Sequence, residues 1–207
     1  MTDKLQAFRQ YAVDYDCWFD DHPAVYHAQL RLLGRAVPSQ GLGLEVGVGS
    51  GRFATPLGIR CGIDPSFPLA EMAKSRGVEV AIGVGEHLPY RSGSFDYAVM
   101  MTVICFLDDM TGVLLEVLRV LAPSGIIVVG FIERDGEIFR HYRREPEKGR
   151  FLRHAVFYSP DEVIRELRDV GVSRVKVAAR ERGFCILAGK KKIPGMNHPT
   201  RINVSFS

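Results

Sequence analysis

Between residues 42 and 53 the chain reads Leu42-Gly43-Leu44-Glu45-Val46-Gly47-Val48-Gly49-Ser50-Gly51-Arg52-Phe53. An apolar run ending in a carboxylate passes into three alternate glycines, and a short helical pattern follows from Arg52 to Leu57. The order is strand, tight loop, helix. Glycine belongs where the chain turns sharply and a ligand must come up against the backbone, because a Cβ would collide with it. A helix behind such a loop offers free N–H groups to the ligand's polar atoms.

Spacing separates the ligands that such a loop serves. A dinucleotide fingerprint, G-x-G-x-x-G, would need its third glycine where Arg52 stands. A phosphate-cradling loop needs Gly-Lys-Ser/Thr, and that tripeptide does not occur. What is written is E-x-G-x-G-x-G. Turns and strand ends also collect glycine for purely structural reasons, so the following segments decide.

A second strand, Ile59 to Ile63, ends at Asp64. That is where a doubly wound α/β fold places a carboxylate for two ribose hydroxyls; Asp64 or Ser66 also suits a cap on a helix from Phe67 to Arg76. Val78 to Ile82 reads as a third strand, followed by the glycine-rich turn Gly83 to Tyr90. Ser94 to Thr102 is a fourth strand that alternates little, as expected when both faces are covered by helices. Its carboxyl end brings Thr102, Val103 and Ile104 to the crevice. Thr111 to Leu121 is an amphipathic helix, stopped by Ala122-Pro123-Ser124-Gly125 before a fifth strand, Ile126 to Phe131.

Three strings carry a family resemblance in order: the glycine loop, Gly83-Val84-Gly85-Glu86-His87-Leu88-Pro89-Tyr90, and Glu116-Val-Leu-Arg119-Val-Leu-Ala-Pro123-Ser-Gly125. Over about residues 40–190 the chain resembles the class I S-adenosylmethionine-dependent methyltransferases. The resemblance implies an α/β fold, a Rossmann-like doubly wound sheet of seven mostly parallel strands with an antiparallel last strand, preceded by N-terminal cap helices. It implies S-adenosylmethionine as cofactor and transfer of its methyl group, by in-line displacement, to an acceptor that is expected to be a small molecule.

Carried over residue by residue, Glu45 would orient the methionine ammonium, and Gly47, Gly49 and Gly51 would admit the amino-acid and ribose parts. Asp64 would take the ribose hydroxyls, with Pro65 and Ser66 beside the adenine. Gly85, Glu86 and His87 would frame the purine, and Thr102 would approach the methionine half or the acceptor. Val84 stands where the family usually has a carboxylate for the adenine amino group. Arg52 is either a partner for the methionine carboxylate or an exposed helix charge.

The sulfonium is already an activated leaving group, so no nucleophile or base is compulsory. No catalytic residue is assigned. If the acceptor is a hydroxyl or phenol, His87, Tyr90, His141, Tyr142 and His154 are the available base types.

Two other readings keep the fold. One is a methyltransferase acting on protein or RNA through the basic segment Arg140 to Arg153; the other is a non-catalytic cofactor-binding module, for which Val84 is the support. Twenty-seven basic against 24 acidic residues leave +3, too little to imply nucleic acid without a clustered basic face. The chain is 46% hydrophobic and 25% charged, a globular composition.

Cys17, Cys61, Cys105 and Cys185 are scattered without ligand spacing, so no metal is expected and they read as reduced core thiols of a cytoplasmic protein. No apolar segment of leader or membrane-spanning length is seen.

The 207 residues read as one domain. Residues 1–38 form cap helices, two of them, broken near Asp20. In them Tyr15 and Trp18 either pack the sheet or wall the cofactor cleft. Residues 40–190 form the core, with a lid or insertion at 133–159 that carries His141 and Tyr142. Within the core, Ser159-Pro160 opens a helix over 161–170, and Val172 to Ala179 pairs antiparallel with Phe184 to Gly189. Residues 191–207 are a tail without usable period.

Overall fold

Strands buried on both faces must lie inside a sheet covered by helices on each side, and the most buried strands here are central. The computed structural model describes residues 3–144 and 150–193. In it, β1 (Gly43–Val46), β2 (Cys61–Asp64), β3 (Glu79–Ile82), β4 (Phe95–Met101) and β5 (Leu121–Ile132) pair in parallel, β7 (Phe184–Lys191) runs antiparallel to β5, and β6 (Val172–Glu181) pairs antiparallel with β7. The order across the sheet is β3-β2-β1-β4-β5-β7-β6. From β1 the chain moves outward to β2 and β3, then returns to β4 on the other side. The gap between the carboxyl ends of β1 and β4 is therefore the crevice where such sheets bind ligands.

All four residues of β1 are buried, as are all of β4 but Asp96. Two apolar cores result. One packs α5 (Met110–Val120) and α7 (Pro160–Asp169) on the sheet through Val113, Leu114, Val117, Val163 and Leu167. The other packs α2 (Ala12–Asp21), α3 (Pro23–Gly34) and α4 (Phe67–Ser75) through Phe19, Leu32, Leu33 and Ala73. Asp109 caps α5 by accepting from Gly112 N–H at 2.9 Å, and Ser159 with Glu162 forms a full capping box on α7.

Three details depart from the sequence expectation. The N-terminal segment is three helices, α1 (Asp3–Gln10) preceding α2 and α3. It breaks at Tyr11, and at His22, where Pro23 at the first helical position disfavours helical geometry in the residue before it.

No α-helix forms over Arg52 to Leu57, which is a run of turns. Pro56 lacks the N–H that would bond the Arg52 carbonyl, and the Tyr26 hydroxyl donates to that carbonyl instead, at 2.6 Å. Ala122 to Gly125 does not separate helix from strand. β5 starts at Leu121, with a register shift against β4 and Ser124 in left-handed geometry (φ 61°).

The 133–159 insertion holds α6 (Glu137–Arg144) and a 3-10 turn at Leu152–His154. It is pinned at its ends, where the Arg134 N–H donates to the Tyr158 carbonyl at 2.9 Å and the buried Glu133 takes a two-pronged ion pair from Arg180. The 191–207 tail lies outside the described residues beyond Ile193. Among the described residues no helix is long and apolar enough to cross a membrane.

Candidate functional site

A cavity of about 670 Å³ opens over the β1–β4 gap, within the range of small-ligand pockets. Its floor is Val46, Gly47, Gly49 and Ile63; its walls are Asp64 to Ser66, Gly83 to Glu86 and Met101 to Val103. Its roof comes from two distant parts of the chain, α1 and α2 on one side and Arg150 to Leu152 on the other.

Positive φ at Gly47 (73°), Gly49 (53°) and Gly51 (81°) makes the loop costly for any other residue. The three act differently. A Cβ on Gly47 would lie 2.3 Å from Val103 Cγ2, so this glycine lets the loop close against the segment after β4. Gly49 faces the Tyr15 ring across the cavity floor, and its N–H donates to Asp64 Oδ2 at 2.8 Å. Gly51 does not line the cavity; a Cβ there would press on Ala73 of α4 at 3.1 Å.

Three acidic groups surround Gly49. Asp64, 7% exposed, accepts from Gly49 N–H and, through Oδ1, from Ser66 N–H at 2.8 Å. Burial pushes its carboxyl up to about 6 despite those two bonds and the nearby Arg9. Glu45 is 1% exposed and lies behind the cavity surface rather than on it. Burial, then the Asp64 charge, drives its carboxyl well above the ordinary range; a bond from the Ala54 backbone opposes this. Its Oε2 has no hydrogen-bond partner among the described residues. Tyr15, the third, is held protonated by burial and by the charges of Asp64 and Glu45, so its hydroxyl serves as a donor.

Of the residues singled out from sequence, Gly47, Gly49, Asp64, Pro65, Ser66, Gly85, Glu86, Thr102, Tyr15 and Trp18 line the cavity, and Val84 lines it as an apolar wall. His87 is exposed and outside it. Arg52 is a correction to both of its readings, since it neither reaches the cavity nor stands free. Its guanidinium binds Asp16 through Nε and Nη2 at 2.9 Å each, and Asp20 at 2.7 and 2.6 Å.

His141 and Tyr142 are a second correction. α6 holds them away from the cavity, with Tyr142 against Phe157, and the insertion reaches the site through Phe151 and Leu152 instead. Tyr90 is also removed from the candidate bases, because its hydroxyl donates to the Gly62 carbonyl at 3.0 Å, beneath the sheet edge.

Sequence reasoning missed Phe8, Gln29, Phe106 and Phe151. Gln29 had a legible signal: it lies three and four residues before Leu32 and Leu33, a polar group on the buried stripe of α3. Phe8, Phe106 and Phe151 lie far apart in the chain and meet only through the fold, with ring centroids 5.1 and 5.2 Å from Phe8.

The Glu116–Arg119 landmark also has a structural use. Arg119 donates to the Leu88 and Tyr90 carbonyls and to Glu116, and Glu116 Oε2 accepts from Leu88 N–H at 3.0 Å. Together they pin the loop that walls the cavity beyond β3.

A family model described as "Methyltransferase domain" matches residues 44–129. An uncharacterised protein of Methanocaldococcus jannaschii is 38% identical over 83% of this chain and 83% of its own length. The malonyl-[acyl-carrier protein] O-methyltransferase of Geobacter sulfurreducens is 31% identical over 83% of this chain and 70% of its own. A crystal structure from Thermotoga maritima, described as a SAM-dependent methyltransferase and possible histamine N-methyltransferase, superposes with a TM-score of 0.85 at 34% identity, covering 91% of this chain and all of that one.

Proposed function

The chain belongs to the class I S-adenosylmethionine-dependent methyltransferases, and from that premise we propose that it methylates a small molecule bound beneath the aromatic roof of the cavity. The observation that carries this reading is the roof itself. Phe8, Tyr15, Phe106 and Phe151 interlock at centroid separations of 5.1 to 5.4 Å. They cover a chamber lined mostly by apolar side chains. A roofed, mainly apolar pocket suits a small ligand that enters whole. The relatives named for acyl-carrier-protein and histamine substrates leave the acceptor of this chain open.

The residues present fit the family's cofactor. Glu45, just behind the cavity surface, keeps one buried carboxyl oxygen without a partner among the described residues, which suits orienting an ammonium through a bridging water. Asp64 retains acceptor capacity beyond its two backbone bonds, which suits ribose hydroxyls. Gly47 and Gly49 supply backbone where a side chain would intrude, and Val84, Gly85 and Glu86 would border the purine.

S-adenosylmethionine, when bound, supplies a methyl group already carried on a good leaving group. The chain's part is to hold and orient. Asp64 fixes the loop that bears Gly49, Tyr15 presents a protonated hydroxyl, and Trp18, Phe19 and Phe151 keep water from the reacting end. Residues 40–190 with the preceding helices act on this reading as one domain, and the four free cysteines suit a reducing compartment such as the cytoplasm.

The test is transfer of tritiated methyl groups from S-adenosylmethionine to a cell extract separated into small-molecule, protein and RNA fractions. Label in the small-molecule fraction is expected. Label confined to protein or RNA overturns the small-molecule assignment.

A further inference from the structure

We propose that Gln29 reads the methyl acceptor, and that the acceptor is an uncharged planar heterocycle presenting a hydrogen-bond donor and acceptor side by side on one edge. This rests on the small-molecule reading above and names the substrate class of that site.

Gln29 is 9% exposed, lines the cavity, and finds no hydrogen-bond partner among the described residues. Its amide is not among the sealed, unpartnered polar atoms, so it stays accessible, and an accessible amide on a cavity wall can give and accept hydrogen bonds with a ligand. Its position says what pairs with it.

Asp64 and Gly83 to Glu86 follow β2 and β3, at one end of the cavity; Met101 and Ile132 end β4 and β5, at the other. Gln29 shares the face of α3 that bears Leu32 and Leu33, and α3 packs against β6 and β7, the strands beyond β5 in the sheet. It therefore belongs to the end away from Asp64, where Trp18, Phe19, Met101 and Ile132 also line the wall.

The chemistry of the wall narrows the ligand. Charged residues that line the cavity are Asp64 and Glu86 at the β2–β3 end, and Asp108 and Arg150, both exposed. An ion buried beside Gln29 would meet no counter-charge on the wall there, at a large desolvation cost. Trp18 and Phe19, edge to face at 87°, give this part of the wall an aromatic, apolar lining that suits a ring. A carboxamide carries a carbonyl acceptor next to N–H donors, so it pairs in two places with an edge of matching pattern, as glutamine does with a purine edge.

The probes are 2-pyridone, which has such an edge, and 1-methyl-2-pyridone, which keeps the ring and carbonyl but lacks the N–H. Both are titrated by ligand-observed NMR into wild-type protein and into Gln29→Leu and Gln29→Met, whose apolar side chains suit the buried stripe. S-adenosylhomocysteine is titrated in parallel, and a thermal melt checks folding of each variant.

The wild type is expected to prefer 2-pyridone by about tenfold, the value of one hydrogen bond. Both variants should lose that preference while binding S-adenosylhomocysteine within about twofold of wild type. Equal binding of the pyridones by wild type, or no binding of either, overturns the proposal while S-adenosylhomocysteine binding leaves the transferase reading standing. Retained preference in the variants together with weakened S-adenosylhomocysteine binding also overturns it, and moves Gln29 to the cofactor end.

Discussion

Arg52 and Asp16 are joined by two parallel hydrogen bonds, Nε to Oδ1 and Nη2 to Oδ2, each 2.9 Å long, with both side chains less than a fifth exposed. The pair ties α2, which roofs the cavity, to the loop that floors it. Arg76 reinforces it by donating to Asp16 Oδ2 at 2.6 Å and to the Ser50 carbonyl at 2.7 Å. The double-mutant cycle Arg52→Met with Asp16→Asn is therefore expected to give a coupling of about 1–3 kcal/mol in chemical denaturation. A coupling indistinguishable from zero would mean that the pair does not hold α2.

Asp64 is expected to separate binding from folding. Asp64→Ala removes the acceptor for Gly49 and Ser66 N–H, lowers stability by about 1–3 kcal/mol, and abolishes S-adenosylhomocysteine binding in calorimetry. The carboxyl also leaves a pH signature in the ligand-free protein. Burial raises its native value to about 6, above the ordinary carboxylate range of about 4, so the native state holds the extra proton. Its contribution to stability is present below about 4 and lost as pH rises through 6. Asp64→Asn should flatten the fall of melting temperature across that window, and an unchanged slope would contradict the placement of Asp64.

Glu116 acts in the opposite sense. Arg119 holds its carboxyl down to about 2, aided by Leu88 N–H and against a desolvation cost. Its stabilising contribution is therefore complete above the ordinary carboxylate range and lost as pH falls through about 2. Acid unfolding followed by circular dichroism should begin at higher pH in wild type than the loss of Glu116 alone requires, and Glu116→Gln should remove the part of the acid limb nearest pH 2. The variant should also raise hydrogen exchange at Leu88, whose N–H loses its carboxylate partner.

Gly47→Ala is expected to be destabilising by about 2 kcal/mol or more. It combines left-handed backbone with an approach of 2.3 Å to Val103 Cγ2. Val103→Ala in the same chain should recover part of the loss by removing the clashing methyl. A double variant no more stable than Gly47→Ala would place the whole cost in the backbone.

The strand-loop-strand order was legible because it rests on local chemistry. Glycines at alternate positions, a carboxylate at or beside the end of each of the first two strands, and Ser159-Pro160 opening a helix all act over a few residues. What escaped was decided by partners far along the chain. Arg52 read either as a partner for the methionine carboxylate or as an exposed charge, yet Asp16 and Asp20, more than thirty residues earlier, satisfy it. His141 and Tyr142 had suitable chemistry in the right insertion, but α6 turns them from the cavity and Phe151 arrives there instead. The missing helix at 52–57 was readable in principle, since Pro56 was in plain view; the rescue of its orphaned carbonyl by Tyr26 was not.

The roof over the cavity is a seam between two pieces of chain that share no covalent neighbourhood. Phe151 stacks on Phe8 at 5.2 Å, and Arg150 reaches Asp14 at 2.6 Å while lying over the Tyr11 ring. Substitutions at Phe8 or Phe151 therefore loosen a roof that neither segment can hold alone, although the two lie more than a hundred residues apart.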